Sequence, residues 1–183
     1  GYTVGGLASL GGNENGLRLF LREVDEGWAS YAPTCEAGKR QVMLSVIDAG
    51  RFEWVCGHAA IEPGGWHHVA TVYDSVSAEQ RLYIDGRLDR AISLSAPREL
   101  GGGLQVGGEV YDPGLIGYLD DVTVYGQALS DTEVRRLFDS GTLSRSCTVR
   151  LSTDGGGSFS EIAADKVSLG GANGTTEPQI LTA

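Results

Sequence analysis

Residues 65–92 read GWHHVATVYDSVSAEQRLYIDGRLDRAI, and how this stretch is taken decides the fold. Asp85-Gly86 sits between two alternating segments, 80–84 and 87–91. A two-residue hairpin turn of type I′ needs positive φ at both central residues, and Asp-Gly supplies them at little cost. With the β-branched run at 69–73, the stretch predicts a three-strand antiparallel meander from Trp66 to Ile92. The adjacent histidines belong to that reading. Along an extended chain successive side chains alternate, so His67 and His68 point to opposite faces and cannot jointly hold one ion. They are expected to hydrogen-bond locally within a sheet. His58 stands apart from them, with no spacing that suggests a catalytic triad.

Working outward, Leu17, Leu19 and Leu21 recur with period two and predict a half-buried strand. Segments 42–47 and 51–56 flank the turn residues Asp48, Ala49 and Gly50 and predict a hairpin. Short strands are also expected at 104–108 and 119–125. One helix interrupts the pattern, predicted over 131–139. Ser130 and Glu133 form a capping box, Leu129 and Val134 a hydrophobic staple, and Gly141 supplies the stop. Val134, Leu137 and Phe138 fall on one stripe of it.

The bulk numbers agree with many short strands joined by tight turns, since the chain has 28 Gly and 5 Pro in 183 residues. That length suits one domain with an appendage. A net charge of −10 argues against phosphate-driven nucleic-acid binding, which needs clustered Lys and Arg. No apolar run reaches the length of a membrane span, so membrane insertion is not expected. The chain opens at Gly1 with no charged-then-apolar leader, which reads as a processed or excised piece. Of three cysteines, Cys35 and Cys56 bracket the 42–56 hairpin and can staple it in an extracellular setting, leaving Cys147 over. Three buried free thiols are the alternative, and the sequence leaves both open.

The blocks GGWHHVATVYD, LYIDGRLDRA, LQVGG and GYLDDVTVYGQALSDTEVRRLF, in that order, resemble the concanavalin A-like lectin and glucanase superfamily, in particular its laminin-G-like jelly-roll branch. The resemblance spans roughly residues 7 to 140. It implies an all-β fold: a two-sheet antiparallel sandwich with one short helix toward its C-terminal end. It also implies a concave face or loop rim that binds carbohydrate, often with calcium. Two features depart from the family. Its first strand usually carries a Phe-Asp-Gly motif whose carboxylate helps hold Ca2+, whereas GYTVGGLASLGG has neither Asp nor Glu, so that first strand reads as missing. Asp120 and Asp121 are then the candidate Ca2+ ligands by resemblance, and solvated edge charges otherwise.

Catalysis is not expected. Retaining glycosidases of the superfamily present a Glu-x-Asp-x-x-Glu strand, and none occurs here. Glu23, Asp25 and Glu26 read as a solvated turn. Trp28, Tyr31 and Tyr111, in glycine-rich or polar loops, are the candidates for stacking on sugar rings, against the alternative that they tuck onto the sandwich. Past Gly141 the register changes. Residues 146–152 predict a new strand, and 152–159 resemble the Asp-box turn of sialidase-like propellers, in a single copy. Residues 1–143 are therefore expected to form the sandwich, and 144–183 a β-hairpin extension or part of a following domain. Asn173-Gly174-Thr175 fits a glycosylation acceptor.

These features point to a non-catalytic, secreted or cell-surface module that binds a glycan or glycoprotein. Two alternatives follow. A missing strand leaves an exposed ladder, so the chain can be a filament subunit that self-associates by strand exchange. The Asp-box suggests the lectin region of a larger sialidase-like glycosidase.

Overall fold

The computed structural model describes residues 4–11, 16–48, 51–74, 76–93, 103–108, 114–141, 150–152, 160–161 and 168–169. Tyr111, Cys147, the Asp-box turn at 153–159 and the acceptor at 173–175 lie outside the described residues. In chain order the elements are β1 (Val4–Gly11), β2 (Gly16–Glu23), α1 (Glu26–Tyr31), β3 (Arg40–Asp48), β4 (Arg51–Ala60), β5 (Val69–Asp74), β6 (Glu79–Ile84) and β7 (Arg87–Ser93). They continue with β8 (Leu104–Val106), β9 (Thr123–Tyr125), α2 (Asp131–Ser140), β10 (Arg150–Ser152), β11 (Ser160–Glu161) and β12 (Ser168–Leu169). They fall into two units, one built on β1–β4, α1, β8 and β12, the other on β5–β7, β9–β11 and α2.

The meander of 65–92 is present as the antiparallel sheet β5-β6-β7. Asp85 and Gly86 carry φ of 50° and 69°, the positive pair that a type I′ turn demands. The first strand starts at Val69, three residues later than the sequence predicts. Asp85 accounts for this, because it takes over the chain just upstream. His68 N–H donates to Asp85 Oδ1 at 3.0 Å, and Asp85 N–H donates back to His68 O at 2.8 Å.

The second unit keeps its core around Val72, Tyr83, Leu129 and Val134. The capping box forms as read, with Glu133 N–H donating to Ser130 Oγ and the Glu133 carboxylate accepting from Ser130 N–H. The N-terminus of α2 is then locked onto β6. Tyr83 Oη and Arg81 Nη1 both donate to Asp131 Oδ1 at 2.7 Å, and Arg81 Nη2 donates to Leu129 O at 2.9 Å. Burial and the Asp131 partner push the Tyr83 phenol far above its ordinary range. Strand β9 begins at Thr123 and not at Leu119, since Asp121 has φ of 52°, which breaks an extended run. β10 pairs with β9 in parallel and with β11 in antiparallel fashion.

The first unit is a six-stranded sheet in the order β12-β8-β1-β2-β3-β4. The 42–56 hairpin is β3-β4. The opening segment, free of carboxylates, nonetheless forms β1, hydrogen-bonded to β2 on one side and β8 on the other. An open ladder is therefore not found at this strand. In β2 the expected parity holds, yet the more deeply buried face is the opposite one. Arg18, Phe20 and Arg22 are only 7%, 1% and 8% exposed, whereas the leucine face is half-buried. The reason is a loop, residues 24–39, that covers the Phe20 side. Its ends meet through Val24 N–H to Lys39 O and Gly38 N–H to Val24 O, both 2.8 Å. Ends so closed over a packed interior make a compact Ω-type loop. Among the described residues no helix is long and apolar enough to cross a membrane.

Candidate functional site

Loop 24–39 carries the helix that the sequence reading missed. Asp25, read as part of a solvated turn, is the N-cap of α1, and its Oδ1 accepts the Trp28 N–H at 2.7 Å. Six residues are too few to show helical periodicity, so the capping aspartate was the available signal. The helix places Trp28 and Tyr31 one turn apart, with rings 6.0 Å apart edge to face.

Three ties press the loop onto the sheet. Cys35 and Cys56 are joined by a disulfide with Cα atoms 4.9 Å apart. Thr34 Oγ1 accepts the Cys56 N–H at 3.0 Å. Gln41, fully buried, donates to Gly57 O at 2.6 Å and accepts Glu36 N–H at 2.8 Å. Beneath the loop, Phe20, Val24, Ala32, Cys35, Met43 and Cys56 form one apolar cluster. Burying a side chain such as Phe20 contributes about 2–3 kcal/mol.

Facing α1, strand β4 presents Phe52 and Trp54, two residues apart and so on one face of the strand. Their rings stack 5.4 Å apart at 9°, and Trp54 meets Trp28 edge-on at 5.3 Å. Two guanidiniums back this wall: Arg22 lies 3.8 Å from the Trp28 ring centre and Arg18 lies 5.6 Å from that of Phe52. The four rings, with Asp25 and Gly27, line a shallow cavity of about 630 Å³ that lies largely open to solvent. Tyr31 and Phe52 are 74% and 43% exposed, so the rings are reachable from solvent. Of the residues singled out for stacking, Trp28 and Tyr31 thus come together. Phe52 and Trp54 were not singled out, although the Phe-x-Trp spacing was a legible sign of two rings on one strand face.

Asp120 and Asp121 precede β9 and turn on each other: Asp121 N–H donates to Asp120 Oδ1 at 2.9 Å. Calcium takes six to eight oxygens. Among the described residues no group of three or more His, Cys, Asp or Glu side chains is placed to hold a metal ion. The two aspartates as described fall short of that donor set.

The histidine pair is held at the hairpin. His67 Nδ1 lies 3.0 Å from Asp85 Oδ2, and the His68 ring packs 5.8 Å from that of Phe138 on α2. His68 Nδ1 is buried without a hydrogen-bond partner among the described residues. Burial holds the His68 pKa below the ordinary 6.5, with the Asp85 carboxylate pulling the other way. As pH falls through that ordinary value, the unfolded chain binds a proton that the folded chain still refuses, so acid removes stability. Thermal melts between pH 7 and pH 5 are expected to show a decline that His68→Phe flattens. An unchanged decline in the variant would remove His68 as its source.

A family model described as concanavalin A-like lectin/glucanases superfamily, of the laminin G type, matches residues 10–135. No curated protein matches the chain. Among solved structures, the native heptameric SAP-like pentraxin from Limulus polyphemus is similar at 15% identity and a TM-score of 0.54, over 89% of this chain and 74% of that one. An S-layer domain-containing protein (residues 221–444) from Clostridium thermocellum is similar at 17% identity and a TM-score of 0.38, over 73% of this chain and 63% of that one. At such identity the pentraxin likeness speaks to fold alone, that of a mostly β jelly roll.

Proposed function

We propose, for a chain that belongs to the laminin G-type family of the concanavalin A-like lectin/glucanases superfamily, a non-catalytic role: holding a saccharide between α1 and β4. The observation that carries this reading is the convergence of Trp28, Tyr31, Phe52 and Trp54 on one cavity beside a single carboxylate. Sugar rings present apolar CH faces that suit aromatic walls, and a few polar groups fix their orientation. The same lining supports binding without turnover. Glycoside hydrolysis needs two carboxyl groups flanking the scissile bond, and among the described lining residues Asp25 is the one carboxylate.

The Cys35–Cys56 disulfide supports a secreted or cell-surface setting, because such bonds persist in oxidising compartments. The partner is then a glycan or glycoprotein. Calcium enters this reading only through Asp120 and Asp121, so binding is to be measured with and without it. The strand-exchange alternative rested on a ladder left open by a missing first strand, and β1 is paired on both sides.

Glycan-array binding and calorimetry on the best hit test the proposal. Trp28→Ala removes a central ring and is expected to weaken binding by about tenfold or more. Full affinity in that variant, or hydrolysis of the bound glycan by the wild-type chain, would overturn it.

A further inference from the structure

We infer that the cavity selects uncharged saccharides over acidic ones, with Asp25 as the specificity-determining residue. The inference rests on the saccharide reading above and names the class of sugar within it.

The lining offers a ligand one charge. Asp25 is the carboxylate among the described residues lining the cavity, and its Oδ1 is fixed by the Trp28 N–H at 2.7 Å. A carboxylate has about four acceptor positions. One of them holds the helix, which leaves acceptor capacity for the hydroxyl donors of a sugar whose CH face meets the rings. Among the described residues that line the cavity, no cation balances an acidic ligand. The guanidiniums of Arg22 and Arg18 sit on the Trp28 and Phe52 rings and are only 8% and 7% exposed. Neither lines the cavity, so neither presents the fork that recognises a carboxylate or sulfate. A sialic or glucuronic acid would set its charge beside Asp25 without a counter-ion, and like charges brought together at an interface disfavour the partner. The net charge of −10 adds a repulsive field at longer range.

The test is a panel of neutral oligosaccharides with their sialylated and glucuronate-terminated counterparts, bound to the whole chain and to Asp25→Asn. Asn is as good an N-cap as Asp, so α1 is retained, which far-UV circular dichroism and tryptophan emission check. The wild type is expected to favour neutral glycans, and Asp25→Asn to lower that preference by about fivefold through a gain for acidic ones. A measurement on the wild type alone gives a second reading. Its weak binding of acidic glycans rises with salt, because screening relieves repulsion. An unchanged preference in Asp25→Asn, a wild type that favours acidic glycans, or acidic binding that falls with salt would each overturn the inference while leaving saccharide binding intact. A panel on which nothing binds would remove the saccharide reading and this inference together.

Discussion

Replacing both Cys35 and Cys56 with serine is expected to lower the unfolding free energy by about 3 kcal/mol and to loosen one wall of the aromatic cavity. The bridge joins residues 21 apart in sequence, and the loop-closure entropy it removes from the unfolded chain is worth about 3 kcal/mol for a ring of that size. For a chain this long, that loss moves a thermal midpoint by roughly 10 °C. The native-state consequence is local. Loop 24–39 keeps its closed neck at Val24, Gly38 and Lys39, but α1 loses its covalent tie to β4. Trp28 and Trp54, in edge contact at 5.3 Å, are then held by packing and by the Thr34 and Gln41 hydrogen bonds. Denaturant unfolding followed by tryptophan emission measures both effects. A midpoint equal to that of the wild type would show that the bridge does not hold this loop.

Gly86→Val is expected to destabilise the second unit by about 3 kcal/mol or more. Two independent penalties act at one position. The φ of 69° lies in the left-handed region that a β-branched residue avoids. A Cβ placed there would also approach Phe138 Cβ to 2.6 Å and its ring to 2.8 Å. Relief requires moving α2, whose N-terminus is pinned by Arg81 and Tyr83 to Asp131, or opening the hairpin that holds His67 and His68. Thermal melts and the solubility of the expressed variant report the cost. A melt within 1 °C of wild type, where 1 °C is about 0.3 kcal/mol, would mean that the turn and helix are not packed as described.

Both predictions fall on places where sequence and structure inform one another differently. At Asp85-Gly86 the sequence alone announces the turn, because only a few residue pairs accept two consecutive positive φ values. At Ser130 and Glu133 the helix start is equally legible, since capping depends on partners three residues apart. The segments misjudged are those whose state depends on distant partners. Residues 66–68 look extended, but Asp85, from the next turn, takes the His68 N–H before β5 begins. Asp25 and Trp28 look like a solvated loop because a helix of six residues leaves little periodic trace.

The sequence by itself determined the all-β class, the hairpin at 85–86, the capped helix after 130 and the alternation that puts Phe52 beside Trp54 on one strand face. Those features are set by steric limits on φ, by hydrogen bonds within a few residues and by the period of two along a strand. The tertiary structure decided which face of β2 is covered and which rings meet. Trp28 reaches Trp54 only because a disulfide, a buried glutamine and an apolar cluster fold residues 24–39 back onto the sheet. Contacts between segments distant in sequence leave no fixed spacing in the chain, so the cavity is visible only when the loop is in place.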